Sequence, residues 1–123
     1  MKASLKEILE SIPDFEDFMK LASEIADLSY NKLQLENKIK ALESETFKVA
    51  MSKPLENGKY PSSSFVINSF THTGLNGEIL PEREKLSYIQ SSLELKKIQL
   101  SIYKDMLEVF RTVSANERSA STF

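Results

Sequence analysis

Residues Phe18 to Val49 read FMKLASEIADLSYNKLQLENKIKALESETFKV, and the spacing of the apolar residues in this stretch decides the fold. Phe18, Leu21, Ile25, Leu28, Leu35, Ile39, Leu42 and Val49 recur at steps of three and four, and Lys32 and Thr46 interrupt the series. Steps averaging about 3.5 residues keep one seam facing a partner helix, which is the condition for a coiled coil. A second stretch repeats the pattern with Leu86, Ile89, Leu93, Leu100, Tyr103, Leu107 and Phe110, interrupted by Lys96. The expected fold is therefore mainly all-α: an antiparallel hairpin of two long helices forming a coiled coil.

Working outward from the first helix, Ser4 and Glu7 have the spacing of a capping box, followed by an apolar stripe of Leu5, Ile8, Leu9 and Ile12. Residues 1–12 are expected to form a short lead-in helix that docks on another element, since two turns are unstable alone. Pro13 suits a first helical turn, and Asp14, Glu16 and Asp17 complement the positive end of the helix dipole. The first long helix is expected over 13–51, ended by Pro54, which disfavours helical geometry in the residue before it.

Residues 52–81 hold all three glycines and three of the four prolines. Thirty residues exceed the ~2–8 of a usual helix–helix connection. Ser64-Phe65-Val66-Ile67-Asn68-Ser69-Phe70-Thr71 has strand propensity, Asn76-Gly77 is a turn pair, and Glu78-Ile79-Leu80 is a candidate return strand. A small β-hairpin or an extended arm is the expected insert. Pro81 with Glu82 and Glu84 opens a second long helix, expected over 82–115, with 116–123 as a flexible tail. Folding back about the centre of the insert, paired positions would sum to about 132. Glu36 would then lie near Lys96 or Lys97, and Lys32 near Ser101.

By length the chain is one domain. Two rods of about 38 residues would each span roughly 57 Å and enclose a thin core. A third packed element or self-association is implied. The second long helix supplies a surface for it, with a second stripe of Tyr88, Leu95, Ile98, Ile102, Met106, Val109 and Val113. Two stripes on one helix need two partners: one is the first long helix, and the other a neighbouring subunit or the lead-in helix. Leu95, Ile102, Met106 and Val109 are the candidate oligomer interface.

Charge is uneven beneath a net −2 and a pI near 5.5. Residues 1–27 carry three Lys against seven Asp/Glu, and residues 28–60 carry six Lys against four Glu. A generally basic nucleic-acid surface is excluded. A local one is not: Lys48, Lys53, Lys59 and Tyr60 approach the insert, and Phe65, Phe70 and His72 lie within it. Lysines that hold phosphates, interleaved with rings that stack on bases, suit a single strand. The reading favoured over this one is that Phe65 and Phe70 bury against the helices while the lysines face water.

Catalytic chemistry finds little to work with. His72 is the only histidine and cysteine is absent, so there is neither a thiolate nucleophile nor a thiolate metal site. The carboxylates show no metal-loop spacing, and Gly74-x-x-Gly77 has neither the Lys-Ser/Thr ending of a P-loop nor a dinucleotide fingerprint. No enzyme activity, cofactor or metal is expected. No apolar run reaches the ~18–20 residues of a membrane span, neither helix has the polar face of an interfacial helix, and the N-terminus lacks a signal-peptide core. A cytoplasmic protein is expected. Phe123, with the terminal carboxylate beside it, has the chemistry of a docking peptide.

In outline and length, helix, short insert and returning helix resemble a prefoldin-type chaperone subunit. They also resemble the small helical recombination mediators of some tailed phages, which assemble as rings around single-stranded DNA. No residue motif carries either resemblance, so neither assigns positions in this chain. The function expected is a non-enzymatic oligomeric scaffold, adaptor or assembly factor that uses helix packing and the 52–81 segment. The alternatives are an oligomeric recombination accessory protein binding single-stranded nucleic acid, or a holding chaperone.

Overall fold

A computed structural model describes Glu7 and residues 13–121; the lead-in helix expected over 1–12 and the terminal Phe123 lie outside the described residues, Glu7 excepted. The protein is mainly helical, with no strand among those residues. Helix α1 runs Phe15–Ser52, α2 is a single turn at Ser63–Val66 continued by a π-helical turn at Ile67–Thr71, and α3 runs Leu80–Ser121. The two long helices pack on each other.

Asp14 and Asp17 start α1. The Asp17 N–H donates to Asp14 Oδ1 at 2.9 Å and the Asp14 N–H to Asp17 Oδ2 at 3.0 Å, a reciprocal box that satisfies donors otherwise orphaned at a helix start. This box sets the start two residues after the expected Pro13. At the other end, the Ser52 hydroxyl donates to the Val49 carbonyl at 2.8 Å, and Pro54 follows.

The expected strand at 64–71 is corrected to helix. The Ser62 hydroxyl accepts the Phe65 N–H at 3.2 Å and caps α2, giving the backbone a helical start. Val66 is then fully buried, as is Ile79. Of the apolar side chains that suggested an extended ribbon, Val66 enters the core from the helical turn, while Phe65 and Ile67 stay exposed. Asn76-Gly77 does lie in a turn, but it joins no strands: Ile79 enters the core and Leu80 begins α3. Nor does α3 stop at 115. No proline or glycine interrupts the expected tail, and the helix continues to Ser121.

The chain divides into two compact units, Met1–Asp27 with Leu93–Phe123, and Leu28–Ser92. In the first, Leu21 and Leu93 are buried, Phe18 meets Tyr103 edge-on at 5.6 Å, and Lys96 Nζ donates to Glu24 Oε2 at 2.5 Å. In the second, Ile39, Thr46, Ala50, Val66 and Ile79 form the buried core. Lys38 Nζ donates to Glu82 Oε1 at 3.0 Å, and Arg83 pairs with Glu43.

These pairs correct the expected register. Lys96 meets Glu24 in place of Glu36, a shift of about three helical turns. Glu36 pairs along its own helix with Lys32 at 3.8 Å. The expected register assumed an insert disposed symmetrically about its centre. The helical 63–71 stretch is folded inward by Val66 and Ile79, so the insert is not symmetric.

Candidate interaction surfaces

The connector is an ordered structure held by a few polar groups. The Glu78 carboxylate accepts the Asn76 N–H at 2.6 Å and the Leu75 N–H at 3.1 Å. Its own backbone N–H, then that of Asn76, hold its carboxyl below the ordinary 4.5, with Leu75 adding to them and partial burial opposing. The carboxylate lies directly over Gly74, whose φ is +89°. Arg83 Nε donates to the His72 carbonyl at 2.7 Å while its other arm reaches Glu43, so one guanidinium ties the connector to α1. His72 is thus engaged through its backbone, and its side chain is exposed. No group of three His, Cys, Asp or Glu among the described residues is placed to hold a metal ion, and no helix there is long and apolar enough to cross a membrane.

Ahead of this loop, the Leu55 N–H donates to the Lys59 carbonyl at 2.7 Å and the Gly58 N–H to the Leu55 carbonyl at 2.9 Å, closing a turn. Lys53, Lys59 and Tyr60 are exposed on and around it, Tyr60 by 68%. Lys48 is exposed on the last turns of α1, and none of the three lysines forms an ion pair among the described residues. Phe65 is 44% exposed and stacks edge-on against the half-buried Phe70 at 5.9 Å. The widened π-turn lets residues five apart meet in this way. The two rings therefore serve each other first, and Phe65 alone of the pair offers a substantial outer face.

On α3, Leu95, Ile102 and Val109 are exposed by 68%, 51% and 55%. They stand seven residues apart, two turns of helix, and so form one line. Met106, expected with them, is half-buried at the edge of the line, and Ile98 is exposed within it. Phe15 and Met19 on α1 in the same unit are exposed too.

Sequence reasoning missed a groove of about 890 Å³ in the second unit. Leu35, Pro81, Tyr88 and Ile89 give it apolar walls, with Lys38 and Lys85 beside them. Both ammoniums reach the Glu82 carboxylate, at 3.0 and 3.6 Å. The Lys38 hydrogen bond chiefly, then the charges of Lys38 and Lys85, lower the Glu82 pKa from 4.5 against partial burial. Only the true register brings Leu35 opposite the start of α3, so heptad reading alone left the groove invisible. Comparison of the chain with protein-family models, with curated proteins and with solved structures finds no match.

Proposed function

We propose that the protein is a non-enzymatic assembly factor, a scaffold or adaptor, whose long helices form an antiparallel coiled-coil hairpin that self-associates through the outer line of α3. The observation that carries this reading is the exposure of Leu95, Ile98, Ile102 and Val109 at helical spacing. Isolated exposed leucines are ordinary, but a line of branched apolar residues along one helix marks a packing face. Burying four such side chains contributes at most on the order of 10 kcal/mol. Association costs about 4–15 kcal/mol, so the line works when other contacts add to it.

A second reading, binding of single-stranded nucleic acid, is favoured by one observation: Lys48, Lys53 and Lys59 are exposed and form no ion pair among the described residues, and the same unit exposes the rings of Tyr60 and Phe65. Repeated around an oligomer, that group becomes a basic, ring-bearing collar. It would be the cargo site of the same assembly.

Native mass spectrometry with and without an unstructured oligonucleotide tests both. The wild-type chain is expected as an oligomer and Ile102→Glu as smaller species of unchanged helicity. A monomeric wild type, or an Ile102→Glu variant that stays fully assembled, overturns the first reading. Salt-dependent oligonucleotide binding, weakened in Lys53→Glu/Lys59→Glu, supports the second. A confirmed oligomer that binds nothing at low salt removes it.

A further inference from the structure

Two Asn-Gly pairs lie between the long helices, Asn57-Gly58 and Asn76-Gly77. Asparagine is among the chemically labile residues, and this dipeptide carries a reaction of its own. The backbone nitrogen after an asparagine can attack the side-chain Cγ. The five-membered ring closes within the chain, with no second molecule to encounter. Glycine in the second place removes the Cβ that would hinder the approach. The other asparagines, Asn31, Asn37, Asn68 and Asn116, sit in helical stretches and precede residues with side chains.

The fold treats the two pairs differently. Both asparagines are exposed. The Gly58 N–H donates to the Leu55 carbonyl at 2.9 Å, and Asn57 Oδ1 accepts the Lys59 N–H at 2.9 Å. Nucleophile and electrophile are each held in that turn, and removing the Gly58 proton forfeits a hydrogen bond. At the other pair, neither the Gly77 N–H nor the Asn76 side-chain amide forms a hydrogen bond among the described residues. The Gly77 nitrogen gives up its proton without losing a partner, and the amide is free to turn toward it. The Asn76 backbone N–H, by contrast, is fixed on Glu78 Oε2 at 2.6 Å.

We propose that Asn76 is a site of spontaneous covalent modification, and that its conversion opens the Glu78 clasp on the connector. A solvent base takes the Gly77 proton, the nitrogen bonds to Asn76 Cγ, and the Cγ–Nδ2 bond breaks as ammonia leaves with a proton from water. The product is a succinimide. Water then adds to one of its two carbonyls. Addition at Cγ breaks the new bond and leaves aspartate; addition at the main-chain carbonyl breaks the old one and leaves isoaspartate. The sum is amide plus water to acid plus ammonia, with no change of oxidation state. Either product puts a carboxylate on the residue whose N–H Glu78 holds, and like charges this close repel. The isoaspartyl form also lengthens a loop with pinned ends by one methylene. The Ile79 N–H donates to the Thr73 carbonyl at 2.9 Å, and Ile79 is fully buried. The clasp, on the exposed side, is the contact that yields.

Incubation of the full chain at mildly alkaline pH, followed by peptide mapping with mass spectrometry, tests the site. Conversion is expected to be several-fold faster at Asn76 than at Asn57, to quicken with pH and to give both aspartyl and isoaspartyl peptides. Asn76→Gln, which would need a six-membered ring, is expected to show none at that position. Conversion at Asn76 no faster than at Asn57 overturns the site. For the clasp, an Asn57→Gln chain confines Asn-Gly conversion to Asn76, and ion exchange separates converted from unconverted chains by the added charge. Amide hydrogen exchange at Leu75, whose N–H Glu78 accepts at 3.1 Å, is expected to be several-fold faster in the converted chain. Unaltered exchange there overturns the unclasping.

Discussion

Gly74 shows how much one residue decides in the connector. Its φ of +89° is left-handed backbone, and a Cβ there would lie 2.5 Å from Glu78 Cδ. Both objections act on the same substitution. Gly74→Ala is expected to destabilise the protein by more than about 1 kcal/mol, read as a lower urea midpoint with an unchanged slope. Gly58 is the control: it also has positive φ, at +79°, but nothing lies within 4 Å of its Cβ position. A Gly74→Ala midpoint no lower than that of Gly58→Ala would mean the carboxylate simply moves aside. Neither the Glu78 clasp nor the Arg83 tie between His72 and Glu43 was legible in the sequence. Each depends on where the chain returns in space, and Glu43 and Arg83 are 40 residues apart.

At the scale of elements, the long helices were legible because periodicity and end signals agree along tens of residues. Every seam residue from Leu21 to Leu42 is buried or half-buried. The 63–71 stretch was not legible for the opposite reason. Phe, Val and Ile favour strands, but the preference is small and context-dependent, and one capping hydroxyl with two buried side chains outweighs it. Register lay between these cases, since heptads repeat and a slip of whole turns keeps the seam apolar. Double-mutant cycles tell the registers apart. Glu24→Ala with Lys96→Ala is expected to show a coupling energy distinct from zero, and Glu36→Ala with Lys96→Ala none. The reverse result would restore the register that symmetry about the insert suggests. The candidate oligomer line was half legible: spacing placed Leu95, Ile102 and Val109 together, while only packing shows Met106 turned partly inward and the groove opened beside Tyr88.

For the molecule as a whole, carboxylates govern the response to acid. Lys96 holds Glu24 below the ordinary 4.5 through a hydrogen bond, Lys38 does the same for Glu82, and backbone N–H groups do so for Glu78. A carboxylate whose folded pKa is depressed stabilises the fold above its unfolded value and loses that contribution as pH falls through the folded one. Stability is therefore expected to be level near neutrality, to decline as pH drops past about 4.5 and to keep falling below it. The triple variant Glu24→Gln/Glu78→Gln/Glu82→Gln should be less stable at pH 7 and show a shallower acid decline in urea midpoints. An identical decline would assign acid sensitivity to other groups. The three cross-helix pairs, Lys38–Glu82, Arg83–Glu43 and Lys96–Glu24, have a further consequence, in the timing of synthesis. The helix α1 is complete at Ser52, yet its ion-pair partners on α3 in the second unit, Glu82 and Arg83, are made some thirty residues later. At ~5–20 residues per second that is a delay of seconds, against about a microsecond for a helix to form. The nascent chain thus holds the whole of α1 before α3 exists to cover its seam. It closes first where the return path is shortest, at the Arg83 tie, and last toward Glu24, whose partner Lys96 is the furthest away along the chain.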